Sequence, residues 1–139
     1  MAKYILTIQH IDCQEPEDSF KSEYSFEGSE LDLKKALLAD IYEDWDCNDF
    51  ETPDAYFDEF WDNTYWEDVT RTIDDFEVNK SGTKISGCRN NYEDQVLYTA
   101  FRVSDDTDLS EYEPYTRHTA AEWDELRTKF PEPNERDDR

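Results

Sequence analysis

The feature that most constrains this chain is an acidic segment threaded with large aromatic residues. Residues 40–75 contain fourteen Asp and Glu side chains and one basic side chain, Arg71, which gives a net charge of −13. The same segment contains nine Phe, Tyr and Trp residues. Disordered acidic segments are poor in aromatics, whereas a buried aromatic side chain removes roughly 150–250 Å² from water. The pattern therefore predicts a folded element with a dense, fixed negative surface.

Length and composition predict one acidic domain. The chain has 139 residues, of which 37 are acidic and 14 are Lys or Arg, so its formal net charge is −23. A chain of this length supports one modest hydrophobic core. We expect a single domain over residues 1–130 and a disordered tail over 131–139, because Pro131 ends the last predicted helix and the tail is polar.

Cysteine usage and hydropathy give the expected location. The three cysteines are an odd number without close spacing, which does not predict a disulfide framework. The first eleven residues lack the features of a signal peptide, and no run approaches the roughly 20 apolar residues that span a bilayer. We expect a cytoplasmic protein without membrane contact, in a bacterial or an infected cell.

Periodicity predicts an α+β fold, with an antiparallel sheet of four or five strands and two or three helices on one face. Alternating apolar residues indicate strands over 3–11, 20–26, 84–88 and 95–103, with a further strand near 76–80. Helical spacing and N-cap signals indicate helices over 30–46, 53–62 and 120–130. Residues 64–76 fit a helix or a strand, and we favour a helix. Residues 104–116 are expected to form a loop, and Gly87 is compatible with a bulge.

The motifs of metal binding and catalysis are incomplete. Asp44, Asp46 and Asn48 match the first, third and fifth positions of a calcium loop, but Asp49 occupies the glycine position and Ala55 the position of the bidentate Glu. No zinc cluster, nucleophile motif or glycine-rich phosphate loop is recognisable. We therefore expect no cofactor, no metal and no enzymatic activity.

The sign of the charge determines which partner is expected. Phosphate binding requires Lys and Arg, so we expect no direct nucleic-acid binding and instead a basic nucleic-acid-binding protein or nuclease complex as partner. Carboxylates four residues apart on a helix are close enough to imitate a row of phosphates. The residues expected to contact the partner are Asp40, Glu43, Asp44, Asp46, Asp49, Asp54, Asp58, Glu59, Asp62, Glu67 and Asp68.

In size and charge layout the chain resembles the small acidic inhibitors that phages make against host defence nucleases. These are the anti-CRISPR and anti-restriction proteins, several of which mimic DNA. The resemblance implies an inhibitor that blocks a nucleic-acid-binding surface, and it carries over no individual residues. Two alternatives stay open. One is an immunity protein that neutralises a nuclease toxin, and the other is a halophilic or housekeeping acidic protein without mimicry.

Overall fold

The computed structural model of the chain describes residues 2–12, 14–42, 70, 72–90 and 94–129. The predicted helix over 53–62 and the predicted tail over 131–139 lie outside these residues. Two α-helices are described, α1 (Glu30–Ile41) and α2 (Ala120–Lys129). The strands are β1 (Lys3–Asp12), β2 (Phe20–Glu27), β3 (Glu77–Val78), β4 (Lys84–Asn90), β5 (Asp94–Val103) and β6 (Glu113–Pro114).

The six strands form one sheet in the order β3-β4-β5-β1-β2-β6. The strand β1 is central and pairs antiparallel with both β2 and β5 along most of its length. The α+β class is confirmed, but the predicted four or five antiparallel strands are corrected to six strands in a mixed sheet, because β6 runs parallel to β2. The strand β6 lies within the predicted loop 104–116. Two residues, one of them a proline, are too few to show the alternation that marks a strand.

The helix α1 begins as the sequence predicts and ends earlier. The Ser29 hydroxyl accepts a hydrogen bond from the Asp32 amide at 3.0 Å, which satisfies one of the unpaired amides at the helix start. The helix ends at Ile41 rather than near residue 46, and Tyr42 is its C-cap. The acidic side chains that follow Tyr42 are unfavourable at a helix C-terminus, where the backbone dipole is negative.

The core lies between the two helices and one face of the sheet. Alternate residues of the sheet point into it, including Leu6, Ile8 and Tyr98, and they pack with Leu37 of α1 and Trp123 of α2. The start of α2 is confirmed, since the Thr119 hydroxyl accepts a hydrogen bond from the Glu122 amide. Because both described helices lie on this face, the expected one-sided packing is also confirmed.

The residues that alternate with these core positions form the opposite side of the sheet, which we call the open face. Residues directly opposite each other in the register share a face, so the strand pairings assign its members. The open face comprises Lys3, Ile5, Thr7, Gln9 and Ile11 of β1, Lys21, Glu23, Ser25 and Glu27 of β2, Glu77 of β3, Lys84, Ser86 and Cys88 of β4, and Gln95, Leu97, Thr99, Phe101 and Val103 of β5.

Gly87 marks a close approach rather than a bulge. The register of β4 against β5 continues without interruption through Gly87 and Tyr98, so the expected bulge is wrong. A Cβ on Gly87 would lie 2.7 Å from the ring of Phe76 and 2.8 Å from the hydroxyl of Thr70. The described part of residues 70–76 contains one 3-10 turn, Ile73–Asp75, in place of the favoured α-helix. The strand predicted near 76–80 is present as β3.

Candidate functional site

Asp40 belongs to the interior rather than to a contact surface. It lies in the last turn of α1 and is 3% exposed. Its Oδ2 accepts a hydrogen bond from the hydroxyl of Tyr98, which is fully buried on β5. Nη1 of Arg89, on β4, donates to the Asp40 carbonyl oxygen at 3.3 Å. The expectation that Asp40 presents its carboxylate to a partner is therefore corrected, because this side chain faces the sheet.

Two further basic groups approach the same carboxylate from the segment before α2. Nη2 of Arg117 lies 3.7 Å and Nε2 of His118 lies 3.5 Å from Oδ1 of Asp40. Nδ1 of His118 also lies 2.9 Å from Oε2 of Glu122. A buried charge is tolerated when opposite charges and hydrogen bonds compensate its lost hydration. We call Asp40, Arg89, Tyr98 and His118, with the exposed Arg117 and Glu122 at their rim, the buried ionic cluster.

The chemistry of this cluster favours a structural role. Burial, and next the Asp40 carboxylate, raise the pKa of Tyr98 well above its usual value. The phenol therefore stays protonated and acts as a hydrogen-bond donor at neutral pH. The contacts join α1, the sheet and the start of α2, three parts that are distant in sequence. The cluster thus fixes the position of the C-terminal end of α1, where the acidic segment begins.

The other predicted contact residues lie outside the described residues. These are Glu43, Asp44, Asp46, Asp49, Asp54, Asp58, Glu59, Asp62, Glu67 and Asp68. The structure does show how the fold holds the two ends of their segment. Tyr42 is buried and packs edge-to-face on Trp123, with ring centroids 4.8 Å apart. Thr70 is buried, its amide donates to the Cys88 carbonyl, and its hydroxyl accepts from the Cys88 amide, both at 3.0 Å.

A second group of carboxylates gathers at the opposite end of α1, and we call it the acidic end. It consists of exposed side chains from the β2–α1 connection and from the loop that follows β5. These are Glu27, Glu30, Asp32, Asp105, Asp106, Asp108 and Glu111. Lys3 holds the two parts together, because its Nζ donates to the Thr107 carbonyl at 3.0 Å and lies 3.9 Å from Oε1 of Glu27.

The loop that carries four of these carboxylates is fixed by local hydrogen bonds. The Asp108 carboxylate accepts from the Ser110 amide at 2.9 Å, and the Ser104 hydroxyl accepts from the Asp106 amide at 3.1 Å. The backbone and side-chain hydrogen bonds from Ser110 lower the pKa of Asp108 below its usual value. Leu109 is buried beneath the loop. The acidic end therefore presents carboxylates in positions that are set before any partner binds.

Sequence reasoning missed the buried ionic cluster, although one signal pointed to it. Asp40 follows Leu33 by seven residues and Leu37 by three, so it lies on the apolar stripe of α1. An acidic residue on such a stripe requires buried partners. The identities of those partners, Arg89 and Arg117 among them, could not be read from the sequence, because they come from a distant strand and a distant loop.

Comparisons with known proteins add no relative: no family model, no curated protein and no solved structure matches the chain. Neither α1 nor α2 has the length and apolar composition of a membrane span. In the described part of the chain, no three His, Cys, Asp or Glu side chains are arranged to hold a metal ion.

Proposed function

We propose that this protein is an acidic inhibitor that binds the basic, nucleic-acid-binding surface of a partner protein, as the phage anti-CRISPR and anti-restriction DNA mimics do. The observation that carries the proposal is the acidic segment 43–69 and its attachment. This segment has eleven Asp and Glu residues and no Lys or Arg. Both of its flanking residues, Tyr42 and Thr70, are buried in the folded sheet and helix layer.

The physical basis is the complementarity between such a segment and a phosphate-binding surface. Carboxylates at i and i+4 on a helix are about 5–6 Å apart, which is of the same order as the spacing of phosphates along a duplex strand. Asp54, Asp58 and Asp62 have this spacing in the sequence. A surface lined with Lys and Arg attracts such a row and associates with it rapidly.

The distribution of charge over the described residues also favours a specific contact over general acidity. The acidic end has seven carboxylates, of which Glu27 pairs with Lys3 and Glu30 with Lys34. The open face, which shares Lys3 and Glu27 with the acidic end, has three lysines and three glutamates and is neutral. A surface adapted to high salt gains from acids spread over all faces. Segregated charge supports an oriented interaction with a basic partner.

The test begins with capture of the partner by the full chain immobilised on a support. Bacterial lysate is passed over it, and the bound protein is eluted first with duplex DNA or RNA and then with salt. We expect a basic nucleic-acid-binding protein that nucleic acid displaces and whose affinity falls at least tenfold between about 0.1 M and about 1 M salt. A stable ternary complex of partner, nucleic acid and this protein would rule out mimicry of the nucleic acid.

Matched charge reversals then locate the contact surface. One variant changes Asp54, Asp58 and Asp62 to Lys, and the other changes Asp105, Asp106 and Glu111 to Lys. Each changes the net charge from −23 to −17, so general electrostatic attraction falls equally in both.

We expect the first variant to lose far more affinity than the second, with the melting temperature of both unchanged or raised, because removing like charges from a chain of net charge −23 relieves repulsion. The reverse order would move the contact to the acidic end. Two variants that bind like the wild type would refute the proposal. The identity of the captured protein separates the two kinds of inhibitor, since an immunity protein captures a nuclease toxin rather than a defence complex.

A further inference from the structure

The open face differs from the rest of the chain in its charge. Its charged residues in the described strands are Lys3, Lys21, Lys84, Glu23, Glu27 and Glu77, so the sum is zero. The whole chain carries −23. A partner that tolerates a strongly negative protein could bind anywhere on it, whereas a second strongly negative copy requires a contact surface without net charge.

The open face carries accessible apolar side chains. Ile5, Leu97 and Val103 are half-buried there, and Phe101 is 46% exposed. Nζ of Lys84 lies 5.8 Å from the centroid of the Phe101 ring, on the neighbouring strand. Exposed aromatic residues are enriched at the centres of protein interfaces.

The short outermost strands of the sheet favour association through a face over association through an edge. The edge strands β3 and β6 have two residues each, and β6 contains a proline, which cannot donate to an added strand. Short edges of this kind protect a sheet against edge-to-edge pairing. Of the two faces of the sheet, the open face is the one that the described helices do not cover.

We propose that the open face is the contact between two copies of this chain in a symmetric, face-to-face dimer. This inference is independent of the proposed function. Its geometry follows from β2, where Lys21 and Glu27 lie at opposite ends. A two-fold axis that crosses the strands at mid-length places Lys21 of one copy against Glu27 of the other, and the symmetry forms this pair twice. The same arrangement is the aligned packing of two sheets.

The area of the open face sets the expected affinity of the dimer. Four strands about 4.8 Å apart, each about eight residues long, cover roughly 500 Å² per copy. The total of about 1,000 Å² lies below the lower limit of about 1,200 Å² for stable interfaces and within the range of weak ones. Repulsion between two chains of −23 further weakens association at low salt. The dimer is therefore reversible, with a dissociation constant in the micromolar range, and salt strengthens it because the repulsion is screened.

The experiment is sedimentation equilibrium of the full chain across a concentration series at low and high salt. We expect the dissociation constant of the dimer to fall at least tenfold between about 0.1 M and about 1 M NaCl, over which the Debye length falls from about 10 Å to about 3 Å. Salt should therefore strengthen the dimer, whereas it should weaken binding of the basic partner. A chain that stays monomeric at every concentration and salt level would overturn the dimer.

Two matched variants test whether the apolar side chains of the open face form the dimer contact. Phe101→Thr keeps a residue that favours strands and should weaken the dimer at least tenfold. Phe20→Thr removes another exposed aromatic residue, 57% exposed against 46% for Phe101, from a strand position on the other face and should leave the dimer unchanged. Equal dimerisation of both variants would refute the assigned face. If the wild type is monomeric and Phe101→Thr abolishes capture of a different protein, that protein occupies the face and the dimer is wrong.

Charge exchange tests the symmetry. Lys21→Glu and Glu27→Lys should each weaken the dimer, and the variant with both changes should restore it, because each exchange recreates the opposite pair across the two-fold axis. Lys80→Glu, which makes the same charge change on an exposed turn, is the control for Lys21→Glu. Additive weakening in the double variant would contradict the two-fold arrangement.

Discussion

Tyr98→Phe removes one hydroxyl group from the buried ionic cluster and should destabilise the protein strongly for so small a change. The hydroxyl donates to Oδ2 of Asp40, and both groups are buried. Nη2 of Arg117 and Nε2 of His118 both approach Oδ1, the other oxygen of this carboxylate.

The expected magnitude follows from the charge of the acceptor. A hydrogen bond to a charged group contributes about 1.5–3 kcal/mol, and a buried acceptor left without its donor places the loss in the upper part of that range. We expect about 2–3 kcal/mol. With an unfolding entropy of about 2.1 cal/mol/K per residue over 139 residues, the melting temperature should fall by about 7–10 °C.

The assay is urea and thermal unfolding followed by tryptophan fluorescence and circular dichroism. Tyr112→Phe, at a half-buried tyrosine of the loop before β6, is the matched control and should change stability by less than about 0.5 kcal/mol. In an Asp40→Asn background the cost of Tyr98→Phe should shrink, since the acceptor is then neutral. A Tyr98→Phe protein as stable as the control would refute the assigned hydrogen bond. Affinity for the captured partner, measured below the transition, should not change.

Two further predictions concern stability. Gly87→Ala should cost about 1–3 kcal/mol in urea unfolding, because the added Cβ meets the buried Phe76 ring and the Thr70 hydroxyl; an unchanged midpoint would show that these neighbours move freely. Glu15→Gln should raise the melting temperature slightly at pH 7 and leave it unchanged near pH 3. The hydrogen bond with Asp18, and next the nearby Asp12 carboxylate, raise the pKa of Glu15 above its usual value. The stability that this shift contributes is therefore present below the unfolded pKa of about 4.3 and is lost as pH rises through the folded pKa. A lower melting temperature of the Gln variant at pH 7 would show that the ionised Glu15 side chain stabilises the fold, which contradicts a raised pKa.

The elements of this fold that the sequence predicted are those whose signals are local. The alternation of Tyr4, Leu6 and Ile8 is sufficient to place β1 and its buried face, because side-chain direction in a strand has a period of two residues. The hydroxyl of Ser29 marks the start of α1, because an N-cap satisfies amides only three residues away. The alternation of Val96 and Tyr98 against Leu97 likewise predicts β5.

Tertiary structure decided the features that depend on distant partners. By composition Asp40 resembles the other acids of its segment, and its burial follows from Tyr98, Arg89 and Arg117, which other parts of the chain bring to it. The strand β6 exists because a parallel neighbour, β2, supplies its hydrogen bonds. Gly87 is explained by the ring of Phe76 rather than by its own backbone.

The same division applies to the two surfaces proposed for interaction. The excess of carboxylates is a property of composition, so the sequence alone determined the sign of the expected partner. The neutrality of the open face depends on which lysines and glutamates the strand register places side by side. Register is set by pairing between segments as far apart as β1 and β5, and a shift of one residue would exchange the two faces of a strand. Only the folded sheet therefore determines which surface of the protein has no net charge.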